Sequence, residues 1–309
     1  MFRHARLPAA LIVALACLPA HAAQRAFVSS TGNDANAPSG CTPALPCRSF
    51  QAAHGAVDAG GEIVALDTAG YGTLTITKSV SILGNPGAIP SISVASGIGV
   101  HITTAGVKVT LRNLNVNGVG GAQGIEMTNG ASLTIENCVV SNFAGSGVYV
   151  YATSSPIKVR IANSTLRGNS TGAYLGGLVN ADISSSQFTG NPGFGVYAEQ
   201  GSSGVTAVAV SDSVASGNGT GIFNWGYLGT ARMALIRVTA SNNDTGIYNR
   251  SEGIGTAALT VGSSMASSNG TGLLNEHLGG TATFESLGNN IVRQNGTAST
   301  GTITPVAGS

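Results

Sequence analysis

Charge is scarce in this 309-residue chain: 9% of its residues are Asp, Glu, Lys or Arg, against 42% apolar. Intrinsic disorder needs the reverse balance, so the chain is expected to fold. Aromatic residues are also few, at 5%, with a single Trp. Good helix formers are sparse, and 45 Gly fall well short of the one residue in about three that collagen requires. Ser, Thr, Asn, Val and Ala make up much of the rest, which reads as β structure with many turns. Of 14 basic side chains, Arg3 and Arg6 lie at the extreme N-terminus; without them 12 face 13 acidic ones, a net of −1. Such a balance supplies no electrostatic reason to bind nucleic acid or an anionic membrane.

A membrane-length apolar run is missing as well. "LPAALIVALACLPA" (7–20) is short for a span, and nothing later replaces it. Preceded by Arg3 and Arg6 and followed by "AHA" ending at Ala22, it reads as a signal peptide over 1–22. The mature chain is then expected outside the cytoplasm: secreted, periplasmic or at the cell surface, with no transmembrane segment. A lipoprotein reading through Cys17 is the weaker one, because Ala14 stands where a Leu is usual. In an oxidising compartment Cys41 and Cys47, in "CTPALPC", are expected to form a local disulfide. Their spacing is not a usual zinc pattern and no His pair accompanies them, so no metal is expected. Cys138 is left over and is expected to be buried and inert.

What the chain does have is a repeat. "NGTGIFNW" (218–225) returns as "NDTGIYNR" (243–250) and "NGTGLLNE" (269–276). Aligned on the Gly after the Asn turn, Gly99, Gly124, Gly147, Gly172, Gly195, Gly221, Gly246 and Gly272 recur every 23 to 26 residues. A second column holds Asn117, Asn142, Asn169, Asn191, Asn218, Asn243, Asn269 and Asn295. Between them lie short alternating segments such as "LTIEN" and "VRIAN", which place Leu133, Ile135, Val159, Ile161, Ala181, Ile183, Val208 and Val210 on one face of half-buried strands. A unit of about 25 residues cannot bury that face alone, and stacking units into a solenoid solves the problem. Asn tolerates a left-handed corner and can bond the Asn above it; Gly fits where a Cβ does not. The repeat is therefore read as architecture. Solenoid ends need caps, and "SFQAAHGAVDAGG" suggests a helix over 49–60, with Ser49 as N-cap, Phe50, Ala53 and Val57 on one side and Gly60 at its end. Coils are expected over 62–295, a C-terminal end over 296–309, and one domain over 23–309.

These features resemble the right-handed parallel β-helix proteins of the pectate-lyase-like superfamily. Residues 26–84, from "AFVSSTGNDANAPSGCTPALPCRSF" to "SILG", resemble the start of small secreted bacterial β-helix proteins without assigned activity. The resemblance implies an all-β solenoid of about ten coils with a short N-terminal capping helix. It implies little about function, because one fold hosts many chemistries.

The superfamily's catalytic sets are missing. There is no Asn-Thr-Asp, Asp-Asp, Gly-His-Gly or Arg-Ile-Lys motif of the polygalacturonase type, no two acidic residues are adjacent, and no Asp-x-Asp-x-Asp-Gly calcium loop occurs. "GNSTG" (168–172) matches a nucleophile elbow, but the same corner later reads "GNGTG" (217–221), so the Ser is dispensable to it. Asn-x-Ser/Thr sites at Asn163, Asn169, Asn218, Asn243, Asn269 and Asn295 are read as turn chemistry. No cofactor motif is present.

The strand after each Gly is more informative. With the aliphatic at Gly+1 inside, Gly+2 and Gly+4 point out. Those columns collect Tyr149, Tyr174, Tyr197, Phe223 and Tyr248, then Tyr151, Glu199, Trp225, Arg250 and Glu276. Asn224, Asn249 and Asn275 between them are expected to form a buried amide ladder. Cross-strand packing alone accounts for stacked aromatics. The functional reading is a polysaccharide platform built from Tyr149, Tyr151, Tyr174, Tyr197, Phe223, Trp225, Tyr248 and Arg250, with Arg250 selecting uronates. A lyase or hydrolase would draw on Glu199, Arg250, Glu276 and His277, and a structural scaffold would dock a surface protein through the same strip. Glu199 and Glu276 are expected three coils apart, about 14 Å, beyond the roughly 5 to 10 Å that sugar-bond hydrolysis needs.

Overall fold

The computed structural model describes residues 23–307. The expected signal segment, with Cys17, lies outside the described residues. Alternation dictates the strands. In Ser132–Glu136, Leu133 and Ile135 are buried while Ser132, Thr134 and Glu136 keep contact with solvent. Each such strand completes its hydrogen bonds by pairing in parallel with its equivalent one coil on. Leu133 pairs with Val159, Val159 with Ala181, Ala181 with Val208, and Val208 with Met233. The result is an all-β parallel solenoid with coils of about 25 residues.

Each coil has three faces, in chain order exemplified by Ser132–Glu136, Val139–Ser141 and residues 146–152. The second face is a parallel sheet of nine strands, from Ser91–Val94 to Ile291–Arg293. The third face runs into the first face of the next coil, as in the 17-residue strand Ser146–Ala162. All three faces turn alternate, mostly aliphatic residues into one core. On the third face Val100, Ile125, Val148, Ala173, Val196, Ile222, Ile247 and Leu273 form a buried row that fixes which residues point out.

The corner between the second and third faces revises the expected Asn column. Six Asn, not eight, form the ladder: the backbone N–H of Asn169, Asn191, Asn218, Asn243 and Asn269 donates to Oδ1 of the next, ending at Asn295, at 3.0, 3.0, 2.8, 3.0 and 2.9 Å. Asn117 instead lies within the second face, paired with Ser141. Phe143, not Asn142, holds the ladder position in its coil and donates to Asn169 Oδ1 at 3.1 Å. The left-handed backbone expected of this column falls one residue earlier, on Gly168, Gly190, Gly217, Asn242 and Ser268, and Asn142 belongs to that set. The ladder residues, buried except for the half-buried Asn295, are acceptors and donors, not turn formers.

The N-terminal helix is shorter than its sequence suggests, Phe50–Ala56. Ser49 Oγ caps it by accepting the N–H of Ala52 at 3.2 Å. It stops because Val57–Ala65 is drawn into a strand beside Ala23–Val28, so winding begins before Glu62 and Gly60 lies within a strand. Phe50 and Ala53 are buried at the solenoid's end. Cys41 and Cys47 are disulfide-bonded. Cys138 is free and buried, and burial pushes its thiol up to about 11. At the other end Thr297–Thr300 and Thr304–Pro305 add a partial coil to Thr271–Ser286. No helix among the described residues is long and apolar enough to cross a membrane.

Candidate functional site

The outward side of the third face carries the aromatic residues in register. Tyr149, Tyr174, Tyr197, Phe223 and Tyr248 occupy five successive rungs of one column. Their ring centroids are 4.9, 4.9, 4.9 and 4.6 Å apart, close to the rung spacing. The second column runs Tyr151, Gly176, Glu199, Trp225, Arg250, Glu276. Tyr151 lies over Gly176, where a Cβ would sit 2.6 Å from its ring. Trp225 stands 6.4 Å from the ring of Tyr197 and 5.7 Å from that of Tyr227. The strip expected to be exposed is thus a half-buried stack, with Phe223 only 6% exposed. Beneath it Asn224 Nδ2 donates to Asn249 Oδ1 at 2.8 Å and Asn249 Nδ2 to Asn275 Oδ1 at 2.9 Å, the amide ladder the sequence pattern suggests.

Polar groups lock the stack from the side. The Tyr174 hydroxyl donates to Glu199 and the Tyr248 hydroxyl to Glu276. Arg250 Nη2 donates to Glu252 Oε2 at 2.9 Å, and its Nε faces Glu276 Oε2 at 3.6 Å, an ion-pair distance too long for a hydrogen bond. Burial, and then the hydrogen bond to Glu199, drive the Tyr174 phenol well above the ordinary tyrosine range; burial and the charge of Glu199 do the same to Tyr197. Tyr248 is pushed up to about 12 by burial and by its bond to Glu276. Between Tyr197, Phe223, Trp225, Tyr227, Arg250 and Glu252 lies an open cleft of about 370 Å³. The indole Nε1 of Trp225 is buried without a partner.

His277 does not join the site. Its Nε2 lies 2.9 Å from Gly280 O in its own turn, and the ring is exposed. Glu199 and Glu276 are three rungs apart in one column, as expected. Among the described residues no three His, Cys, Asp or Glu side chains are grouped to hold a metal ion.

A sequence model of the right handed beta helix region matches residues 96–286. The chain belongs to the right-handed β-helix family. No curated protein matches it. Among solved structures, that of pectate lyase Pel9A aligns with a TM-score of 0.62 at 16% identity, over 88% of this chain and 79% of that one. At that identity the likeness is one of fold.

In this β-helix the side of the strip includes residues outside both sequence columns. Phe194 stacks on Phe223 at 5.2 Å, Tyr227 walls the cleft, and Glu252 holds Arg250. The spacing Arg250-x-Glu252, two residues on one side of a strand, is the signal that would have found the last. A larger groove, about 730 Å³, lies on the outward first face, above Ala207, Ala209, Ala234 and Ala258 and beside Lys158, Asp182 and Arg232. It is larger but offers no aromatic ring, so the third face carries the stronger claim to a ligand.

Proposed function

We propose that the mature chain is a secreted β-helix that binds polysaccharide, in solution or on a cell surface, along its third face without cleaving it. The observation that supports this best is the register of five rings in contact, some stacked and one pair edge to face, beside a cleft edged by Trp225, Arg250 and Glu252. The half-buried row of rings gives a sugar chain an apolar surface to lie along, and fixed carboxylates and a guanidinium give hydroxyls directional partners. Secretion rests on the N-terminal segment and on the Cys41–Cys47 disulfide, which suits an oxidising compartment.

Lack of cleavage is argued from geometry. Glu199 and Glu276 are separated by three rung spacings, about 14 Å. Glu252 and Glu276 come nearer, but the Arg250 guanidinium contacts both and occupies the position between them. That Glu252–Arg250–Glu276 group is the observation favouring the second reading, a lyase or hydrolase of unfamiliar design.

Incubating the mature protein with plant and bacterial polysaccharides, then running size-exclusion chromatography, separates the two. Intact polymer co-eluting with protein, and lost in Trp225→Ala, is the expected result. Shortened polymer makes the chain an enzyme. Polymer that neither shortens nor shifts removes glycan binding and leaves a protein-docking scaffold.

A further inference from the structure

Charge is divided unequally between the faces of this solenoid. The outward first face mixes both signs, with Arg25, Lys108, Arg112, Lys158, Arg160 and Arg232 beside Glu62, Glu136, Asp182 and Glu285. The outward third face carries Glu126, Glu199, Glu252 and Glu276 against one fixed cation, Arg250. The charge of Arg250 is already balanced by two carboxylates, Glu252 at 2.9 Å and Glu276 at 3.6 Å. His101, the other basic group in register with the strip, faces Glu126 Oε1 at 3.2 Å. A uronate carboxylate laid on this face would meet no unpaired guanidinium and several carboxylates of its own sign. The ion pairs of Arg250 argue against its selecting uronates.

The same carboxylates suit ligands that bring donors. Tyr174 and Tyr248 each give Glu199 and Glu276 one hydrogen bond. A carboxylate has about four acceptor positions, so each keeps capacity for hydroxyl or ammonium groups. The local field is negative. The Tyr149 phenol, which has no hydrogen bond to a carboxylate, is still pushed up by burial and then by the charges of Glu126, Tyr151 and Glu199. The ring column spans four rung spacings, about 19 Å, enough for several sugars end to end.

Resting on the glycan-binding reading above, we infer that the third face takes glycans whose sugars bear hydroxyl or ammonium groups and no carboxylate, amino-sugar chains ahead of neutral ones, and rejects polyuronates. Opposite charge speeds and tightens the first, and like charge together with unpaired desolvation penalises the last.

Calorimetric titration of the mature protein with three hexasaccharides of equal length, a glucosamine hexamer, cellohexaose and hexagalacturonate, tests the order. The glucosamine hexamer is expected to bind tightest and to weaken with added salt, cellohexaose to bind with little salt dependence, and hexagalacturonate to bind at least about tenfold more weakly than cellohexaose. Glu199→Gln should weaken the glucosamine hexamer about tenfold, the worth of one charged hydrogen bond, and change cellohexaose less. Glu252→Gln uncovers one side of Arg250 and should strengthen hexagalacturonate. An unchanged thermal midpoint shows that each variant is folded. Hexagalacturonate binding as tightly as cellohexaose, or the glucosamine hexamer binding more weakly than cellohexaose, overturns the charge selection and leaves glycan binding standing. If none of the three binds, the glycan reading fails, and this inference with it.

Discussion

Asn243 Oδ1 accepts two hydrogen bonds from Asn218, one from its backbone N–H at 2.8 Å and one from its side-chain amide at 3.1 Å. Asn243 in turn donates to Ala215 O at 3.0 Å and, through its N–H and its amide, to Asn269 Oδ1 at 3.0 Å. It is 4% exposed, so solvent does not replace these partners. Asn243→Ala leaves the backbone N–H of Asn218 and one N–H of its side-chain amide without their acceptor inside the solenoid. We expect a loss of about 2–4 kcal/mol, the sum of one or two unsatisfied buried groups, in urea denaturation. A loss below about 0.5 kcal/mol, typical of a surface site, would show that the ladder is ornamental.

Gly221 stands three residues after the ladder residue Asn218. A Cβ there would lie 2.6 Å from the Gly246 carbonyl oxygen and 2.9 Å from Asn243 Nδ2, both fixed by the next coil. Its backbone is not left-handed, so the requirement is space and not dihedral freedom. Gly221→Ala must push two coils apart locally and is expected to cost about 1–3 kcal/mol. The same Glu-rich strip hangs from this strand, so the ring stacking of Phe223 on Tyr248, read by near-ultraviolet circular dichroism, should weaken with it.

The period and the inward rows were legible because a solenoid repeats its constraints: Leu133, Val159 and Val208 face the same core for the same reason. The ladder was over-read at Asn117 and Asn142 because an Asn near a corner can serve as strand residue, left-handed turn residue or buried acceptor, and a single sequence does not separate those roles. Tertiary pairing decided, placing Phe143 where an Asn was expected. At the site, the columns found Tyr149 through Tyr248 but not Glu252, one alternation beyond Arg250, nor Tyr227, which lies past the end of its strand at Gly226. Alternation counts faces along a straight strand; it says little past a bend. The meaning of Arg250 was lost because the columns stopped before Glu252, although its other partner, Glu276, is the next residue of its own column.

His54 gives the N-terminal cap a pH dependence. It is buried, and its Nε2 accepts the N–H of Thr77 at 3.3 Å, which only an unprotonated nitrogen can do. Burial, and then the charge of Lys78, hold it below the ordinary 6.5. The unfolded chain therefore takes up a proton at higher pH than the folded one. Stability from neutral His54 is complete above about 6.5 and is lost as pH falls from there toward the folded value. The urea midpoint should drop between about pH 7 and pH 5, and His54→Gln, whose amide oxygen accepts without titrating, should flatten the drop. Asp67 acts in a separate window. Burial opposes its ionisation, but hydrogen bonds from Ser30, Tyr71 and Ser29 outweigh that and hold it at about 2, so its contribution is lost only as pH falls from 3.8 toward 2. An equal drop in wild type and His54→Gln would assign the effect elsewhere.

Tyr248 offers a direct optical check on the site. Burial first, and its bond to Glu276 second, raise it from 10.0 to about 12. A folded value above the unfolded one means that stability is complete below about pH 10 and is lost as pH rises toward 12. Glu276→Gln keeps an oxygen able to accept from the Tyr248 hydroxyl but removes the charge. Near-ultraviolet difference titration should then show one tyrosine ionising at lower pH, still above the ordinary value because burial remains. A Tyr248→Phe protein, lacking that transition, identifies which tyrosine moved. If the titration curve of Glu276→Gln overlies that of wild type, the carboxylate does not shape the field at the strip, and the charge argument for its ligand preference loses its nearest support.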